Sequence, residues 1–129
     1  MHYTPEQLIQ LDCCTFVRLM CPQVLLSASQ NGLFIGAKNK AAYINKMKML
    51  GMLVGESDLM LTWPDRGILF CELKAGKNKT TDSQDGVMTL RQLQGFDCFV
   101  AYSLIEFVAG LKRFRVPMRT GIYAGVGRV

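Results

Sequence analysis

Residues 55–74, GESDLMLTWPDRGILFCELK, decide how this chain is organised. The run is predicted to form two apolar strands around a turn at residues 64–67, with Asp58 on the first strand and Glu72 and Lys74 on the second. Side chains of a strand alternate between its faces, so Glu72 and Lys74 point the same way. Charges within so apolar a run are costly to bury without a partner. A divalent metal ion held by Asp58 and Glu72, with Lys74 beside it, would be that partner.

These residue types suit the hydrolysis of a phosphodiester. Mg²⁺ and Mn²⁺ prefer oxygen ligands, and Mg²⁺ keeps several of its waters. The carboxylates of Asp58 and Glu72 and the main-chain carbonyl of Leu73 would supply such ligands. Lys74 would orient the attacking water, help to deprotonate it, or stabilise charge on the phosphate. These residues are therefore expected to hold a Mg²⁺-type ion that activates a bound water for attack on a phosphodiester.

The length of the turn decides whether Asp58 meets Glu72. A plain four-residue loop at 64–67 would place Asp58 opposite Leu73, with its side chain on the wrong face. A three-residue loop, or a bulge at Gly67, would place it across from Glu72. Glycine is the residue that a bulge favours. We therefore predict a bulge, or a bend near Asp58.

Length and composition indicate one domain. The chain has 129 residues, half of them hydrophobic, which predicts a single domain over residues 1–129 with one core, ending in a basic tail at 112–129. No apolar run approaches the roughly 20 residues that span a membrane, and the N-terminus has no secretory signal, so we expect no membrane association. The glycines of the tail resemble no phosphate-binding loop, and no small-molecule cofactor is expected.

The cysteines favour a reducing environment. There are five, an odd number, with no Cys-x-x-Cys pair and a single histidine, His2. A zinc site and a disulfide framework are both poorly supported by this pattern. We interpret the cysteines as free thiols in the core of a cytoplasmic protein.

The positive charge is clustered. The net charge is +5, and the lysines and arginines group in three segments, which suggests phosphates nearby rather than a merely solvated surface. The residues predicted to contact a nucleic-acid backbone are Lys38, Lys40, Lys46, Lys48, Lys77 and Lys79. The third group lies in the C-terminal tail, which would be a dimer arm, a DNA contact or disordered, and its members are Lys112, Arg113, Arg115, Arg119 and Arg128. Little in the sequence indicates base reading, so we expect recognition of shape and phosphates.

Capping signals and apolar spacing predict the order α-β-α-β-β-α-β-α. The expected elements are a helix from Thr4 to the Cys21-Pro22 stop, a strand at 24–26, a turn at Asn31-Gly32, a helix at 37–50, the hairpin, a helix at 81–94, a strand at 98–102 and a helix at 103–111. This pattern belongs to the α/β class, with a mixed sheet and helices on its faces. The strands 68–74 and 97–102, joined by a helical crossover, should be parallel.

Periodicity also assigns the inward faces of the helices. The residues expected to face inward are Leu8, Leu11, Phe16, Val17 and Met20 on the first helix, Ala41, Ile44, Met47 and Leu50 on the second, and Val87, Leu90 and Leu93 on the third.

The ordered series of Asp58, Glu72-Leu73-Lys74, Gln84 at the start of a helix and Gly95 at its end resembles the VRR-NUC family of the PD-(D/E)XK nuclease superfamily. The similarity covers residues 4–111 and includes Glu6 on the first helix, Asn31-Gly32 and the lysine-rich helix before Gly55. One departure is Ser57, where the family often has proline before the metal-binding Asp. Glu56 is an additional acid that would either join the site or face solvent.

The resemblance implies a metal-dependent DNA endonuclease, using Mg²⁺ or Mn²⁺, with a restriction-endonuclease-like α-β-β-β-α-β core. It implies Asp58, Glu72 and the carbonyl of Leu73 as metal ligands and Lys74 as the catalytic lysine. Gln84 would be an active-site residue, and Glu6 would reach the metal shell from the first helix. Stand-alone members of this size look like bacterial or phage enzymes that act as homodimers on branched DNA such as four-way junctions.

Other interpretations stay open. Asp58 and Glu72 would be surface carboxylates if their strand were an exposed edge, and Lys74 would then be an ion-pair partner of Glu72. A capping box alone explains Gln84, and the helix dipole alone explains Glu6. The same fold would also serve as a non-catalytic nucleic-acid-binding module or as a sequence-specific restriction-type nuclease.

Overall fold

The computed structural model describes residues 2–29 and 39–121, which form four helices and four strands. The elements are α1 Pro5–Met20, β1 Leu25–Ala28, α2 Lys40–Met49, β2 Leu59–Trp63, β3 Gly67–Leu73, α3 Asp82–Leu93, β4 Asp97–Ala101 and α4 Leu104–Arg113. The order is the predicted one. The predicted turn at Asn31-Gly32, Lys38 and Arg128 lie outside the described residues. None of these helices is long and apolar enough to cross a membrane.

The strands form one mixed sheet in the order β1-β2-β3-β4. β1 and β2 pair antiparallel, as do β2 and β3, whereas β3 and β4 pair parallel across the α3 crossover, as predicted. Taken without α2, which is inserted between β1 and β2, the elements up to β4 give the expected α-β-β-β-α-β core. The mixed α/β fold class is therefore confirmed.

Capping residues fix where the helices begin. The Thr4 hydroxyl accepts from the Gln7 N–H at 3.1 Å, and the Gln7 side chain accepts from the Thr4 N–H at 2.9 Å, so α1 begins with the predicted capping box. At α4 only half of the predicted box forms. Ser103 accepts from the Glu106 N–H, but the Glu106 carboxylate accepts from the N–H of Tyr102, one residue before the cap.

One face of the sheet carries the hydrophobic core. Alternate residues of β2 and β3 pack there against α1 and α4. The core includes Leu59, Leu61, Leu69, Cys71 and Leu73 from the sheet, Cys13, Phe16 and Val17 from α1, and Phe107, Val108 and Leu111 from α4. Val116, beyond α4, joins this core, so core contacts extend past the boundary expected at residue 111.

The hairpin between β2 and β3 has a three-residue loop. Trp63 pairs with Gly67, which leaves residues 64–66 as the loop, and Asp65 and Arg66 both have positive φ angles. Gly67 is thus a strand residue and not the predicted bulge. A glycine suits this position because a Cβ here would overlap the Trp63 indole. The loop length alone gives the register that the sequence analysis required.

Several predictions of inward-facing residues were wrong. Leu90 and Leu93 are 61% and 79% exposed, and on α1 Leu8 is also mostly exposed and Leu11 partly so. Helix α2 buries none of its residues, so the inward positions assigned to it were also wrong. Its proposed apolar residues recur every three positions, which drifts around the helix and forms no continuous stripe. The four assigned to α2 were Ala41, Ile44, Met47 and Leu50.

Candidate active site

Asp58 and Glu72 face each other at one end of the sheet. Leu59 pairs with Cys71, so the next position of the same register brings Asp58 opposite Glu72. Asp58 is half-buried, and its Oδ2 accepts from the Leu73 N–H at 2.7 Å. Its carbonyl oxygen accepts from the Ser29 N–H at 2.9 Å, which ties it to the chain just after β1. Asp58 is thus held by one contact through its carboxylate and by a second through its main-chain carbonyl.

Glu72 is a buried acid. It is 2% exposed and lies on the face of β3 opposite the α1–α4 core. Its Oε1 accepts from Gln84 Nε2 at 2.7 Å, while its Oε2 is buried without a hydrogen-bond partner. Burial, and then the nearby Asp58 carboxylate, raise the pKa of Glu72 to about 9, although the Lys74 charge acts in the opposite direction. A buried carboxylate with an unpartnered oxygen is a costly arrangement that a cation would relieve.

Gln84 has two roles at once. It completes the capping box of α3, because its Oε1 accepts from the Thr81 N–H at 2.9 Å and its N–H donates to the Thr81 hydroxyl. Since the amide oxygen is occupied in this way, the amide nitrogen is directed at Glu72. The capping interpretation and the active-site interpretation of this residue are therefore compatible.

Lys74 continues the same strand face. It is 8% exposed, and its N–H donates to the Ala101 carbonyl of β4 at 3.0 Å. Lys74 lies two residues after Glu72, on the same side of the strand, and its positive charge lowers the pKa of Glu72. The three side chains expected to act together, Asp58, Glu72 and Lys74, are thus brought together.

The oxygen donors at this site fit a hard divalent cation. Asp58 and Glu72 contribute carboxylates, Glu72 Oε2 lacks a partner, and the carbonyl of Leu73 lies in the same segment. Within residues 2–29 and 39–121 no group of three or more His, Cys, Asp or Glu side chains forms a metal cluster. Two carboxylates suffice for an ion such as Mg²⁺, which retains waters as its remaining ligands.

Glu6 lies at the same end of the molecule but against a different segment. Its carboxylate accepts from Asn78 Nδ2 at 3.3 Å, in the loop that follows Lys74. The Asn78 carbonyl in turn accepts from the Tyr102 hydroxyl at 2.7 Å. A pocket of about 390 Å³ lies between the start of α1 and residues 75–78. The expected reach of Glu6 to the metal shell stays a prediction.

The lysines of α2 and the lysines of the loop after β3 belong to segments that meet the sheet at the end bearing Asp58. Ala28 pairs with Leu59, so the insertion containing α2 leaves and re-enters the sheet at this end. The loop with Lys77 and Lys79 follows β3 at the same end, and both lysines are exposed. On α2, the exposed lysines are Lys40, Lys46 and Lys48.

The sequence analysis missed an ion pair beside the site. Arg91 donates to both oxygens of the Glu56 carboxylate, at 2.6 and 2.7 Å. Its guanidinium also lies 3.8 Å from the ring centroid of Phe70. Arg91 lies seven residues after Gln84, two helical turns along one face of α3, and this spacing was an available signal. Glu56 is therefore paired with Arg91 and does not extend into open solvent.

Comparisons with known proteins support the fold. No family model matches the chain, and no curated protein matches it. Among solved structures, a protein described as "VRR_NUC domain protein" matches with a TM-score of 0.61 over 100% of both chains, at 17% sequence identity. The resemblance that the motifs suggested is thus found again in the complete backbone, and the chain has the fold of a VRR_NUC domain protein.

Proposed function

We propose that the protein is a divalent-metal-dependent DNA endonuclease that uses Mg²⁺ or Mn²⁺ and acts on branched DNA such as four-way junctions. One observation carries the proposal. Glu72 is a buried acid with an unpartnered oxygen, and it lies opposite Asp58 and next to Lys74 on one face of the sheet. A non-catalytic binding module has no need of this costly arrangement. The nuclease fold of the structural neighbour supports the same conclusion.

In this proposal each residue of the site would have a definite task. Asp58, Glu72 and the carbonyl of Leu73 would hold the ion, which would supply Lewis acidity at the scissile phosphate. Gln84 donates to Glu72 Oε1, so the unpartnered Oε2 would be the oxygen that holds the ion. The Lys74 ammonium would orient the attacking water or stabilise negative charge on the phosphate. Glu6 would act from the start of α1.

DNA would be bound through its phosphates. Lys77 and Lys79 follow β3 at the end of the sheet that carries Asp58, and the lysines of α2 belong to the insertion that joins the same end. Such contacts bind a backbone irrespective of sequence and weaken steeply with salt. We propose Lys38 as a further contact of this group.

The active unit would be a homodimer of a single nuclease domain spanning residues 1–129. Symmetric resolution of a junction needs two nicks and hence two active sites related by a two-fold axis.

The enzyme would act in a bacterial or phage-infected cytoplasm. Burial raises the pKa of Cys13 to about 12 and of Cys21 to about 11, so these thiols stay protonated and serve as small core residues.

The proposal is tested by incubating a labelled four-way junction and a random linear duplex with Mg²⁺. We expect the native protein to cleave the junction and the Lys74→Met variant to be slower by about 100-fold or more, the range typical of a lost acid–base group. Lys112→Met is the matched control. Lys112 lies in the last turn of α4, on the core side of the sheet, and should be dispensable.

Each other outcome points elsewhere. Equal cleavage by the native protein and Lys74→Met would contradict the proposed site. Junction binding without cleavage of any DNA structure would favour the non-catalytic module. Discrete cuts in the random linear duplex would favour a restriction-type nuclease.

A further inference from the structure

The segment that delivers Asp58 to the site lies outside the sheet ladder. Residues 54–58 connect the insertion to β2, and the described ladder between β2 and β3 begins only at Leu59. The N–H of Glu56 donates to the Leu53 carbonyl at 3.2 Å, a contact within the same turn. Asp58 itself contacts Leu73 and Ser29, and the path of residues 54–57 into Asp58 depends on what else holds this segment against the rest of the molecule.

Two contacts with α3 hold it. Gly55, with φ at +88°, approaches the start of α3 so closely that a Cβ would overlap the main chain of Ser83. Two turns further along α3, Arg91 donates hydrogen bonds to both carboxylate oxygens of Glu56. Glu56 Oε1 also accepts from the N–H of Ser57 at 2.8 Å. The residue directly before Asp58 is thereby tied to α3 through one carboxylate.

Arg91 is itself fixed by the strand that carries Glu72. Its guanidinium lies over Phe70, two residues before Glu72 on the same face of β3. Phe70 in turn packs edge-on against Phe96. The Arg91 and Glu56 side chains are only 18% and 27% exposed, so their double hydrogen bond is partly shielded from water. Arg91 thus contacts the segment that bears Asp58 and the strand that bears Glu72.

We infer that Arg91, acting through Glu56, is a positioning residue that sets the separation of the Asp58 and Glu72 carboxylates for a divalent cation. The inference rests on the proposed function, because it concerns the same metal site. Arg91 would act through Glu56 and Phe70, without contacting the ion or the substrate. It acts as the outer partners of metal ligands do, whose loss costs about 10- to 100-fold in metal affinity.

The test is Mn²⁺ affinity of the full chain, measured by titration calorimetry without DNA. Arg91→Met keeps an unbranched side chain over Phe70 but removes the guanidinium that donates to both Glu56 oxygens. We expect Mn²⁺ binding to weaken about 10-fold or more. Arg113→Met is the matched control, because Arg113 also lies over a phenylalanine ring in the last turn of a helix, 5.0 Å from the Phe114 centroid and away from the site. It should bind Mn²⁺ as the native protein does.

A double variant separates positioning from a general loss of charge or stability. Glu56→Gln alone should also weaken Mn²⁺ binding, and the Glu56→Gln/Arg91→Met protein should be no weaker than Arg91→Met, because the two residues act through each other. The inference would be overturned if the double variant lost Mn²⁺ affinity by the product of the two single losses, or if Arg91→Met bound Mn²⁺ with native affinity. Asp58→Ala keeps this failure distinct from that of the proposed function, since native Mn²⁺ affinity in that variant would refute the metal site itself.

Discussion

At the scale of single residues, the site combines groups whose individual interpretations were ambiguous. The acid-x-lysine pattern of β3 was readable from strand alternation alone. The hydrogen-bond partner of Glu72 was harder to predict, because Gln84 also fits a capping box. Only the structure shows that the Gln84 amide caps α3 through its oxygen and donates to Glu72 through its nitrogen. The pairing of Glu56 with Arg91 joins residues 35 positions apart in sequence, and local patterns carry no such information.

Glu72 makes the stability of the metal-free protein depend on pH. Its pKa is raised from 4.5 to about 9, so the folded state keeps a proton that the unfolded chain releases. The free energy of unfolding should therefore fall as pH rises from about 5 to 9, by at most about 1.4 kcal/mol per pH unit. Urea unfolding at several pH values in EDTA measures this. Glu72→Gln should flatten the profile, and an unchanged slope in that variant would contradict the assignment.

Metal should reverse that loss. A cation that binds only the folded state stabilises it by mass action, and its affinity rises as its ligands lose their protons. We expect Mn²⁺ to raise the unfolding midpoint of the native protein at pH 8 much more than at pH 5. Asp58→Ala is the comparison, and an equal gain in this variant would place the binding elsewhere.

At the scale of elements, prediction succeeded where one local rule dominated. The capping boxes of α1 and α3 and the hairpin run were identified because their signals lie within a few neighbouring residues. On α3 the prediction was right for Val87, which is buried, but wrong for the rest of the face, because the other inward positions carry the polar Gln84 and Arg91. Hydrophobic periodicity favoured Leu90 and Leu93, which the structure leaves exposed.

The contact of the Asp58 segment with α3 gives a prediction at this scale. Gly55→Ala should destabilise the protein by about 2 kcal/mol or more, because it combines a strained positive φ with overlap of the α3 main chain. Gly51→Ala is the control, since Gly51 also has a positive φ, at +102°, but has open space around it, and it should cost about 1 kcal/mol. Chemical denaturation compares the two. Equal losses would show that the close approach to α3 is unimportant.

At the scale of the whole molecule, the topology gathers the proposed functional groups at one end of the sheet. The carboxylates, the loop with Lys77 and Lys79 and both ends of the α2 insertion meet there. The segment that follows α4 lies away from these groups, because the Arg119 N–H donates to the carbonyl of Met20, the last residue of α1. The sequence revealed clusters of charge, but only the register and order of the strands show which of them adjoin the carboxylates.

Salt dependence should distinguish these clusters. In a Lys74→Met background, Lys77→Ala/Lys79→Ala should weaken junction binding and reduce the slope of log affinity against log salt by about 1.8, for two lost phosphate contacts. Lys112→Ala should leave the slope unchanged. Fluorescence anisotropy across a range of NaCl concentrations provides the measurement. A slope that responds only to Lys112→Ala would locate the DNA on the opposite side.

Light scattering at micromolar concentration tests the assembly. A homodimer is expected, because paired nicks require two active sites. A monomer with nicking activity would leave the site intact but would contradict symmetric junction resolution.

The most direct test of the central claim is a crystal of the native protein soaked in Mn²⁺ and recorded at the manganese absorption edge. The account predicts one strong anomalous peak within bonding distance of carboxylate oxygens of both Asp58 and Glu72, with Lys74 adjacent. A map with no peak there, or with manganese bound only to surface carboxylates elsewhere, would contradict it.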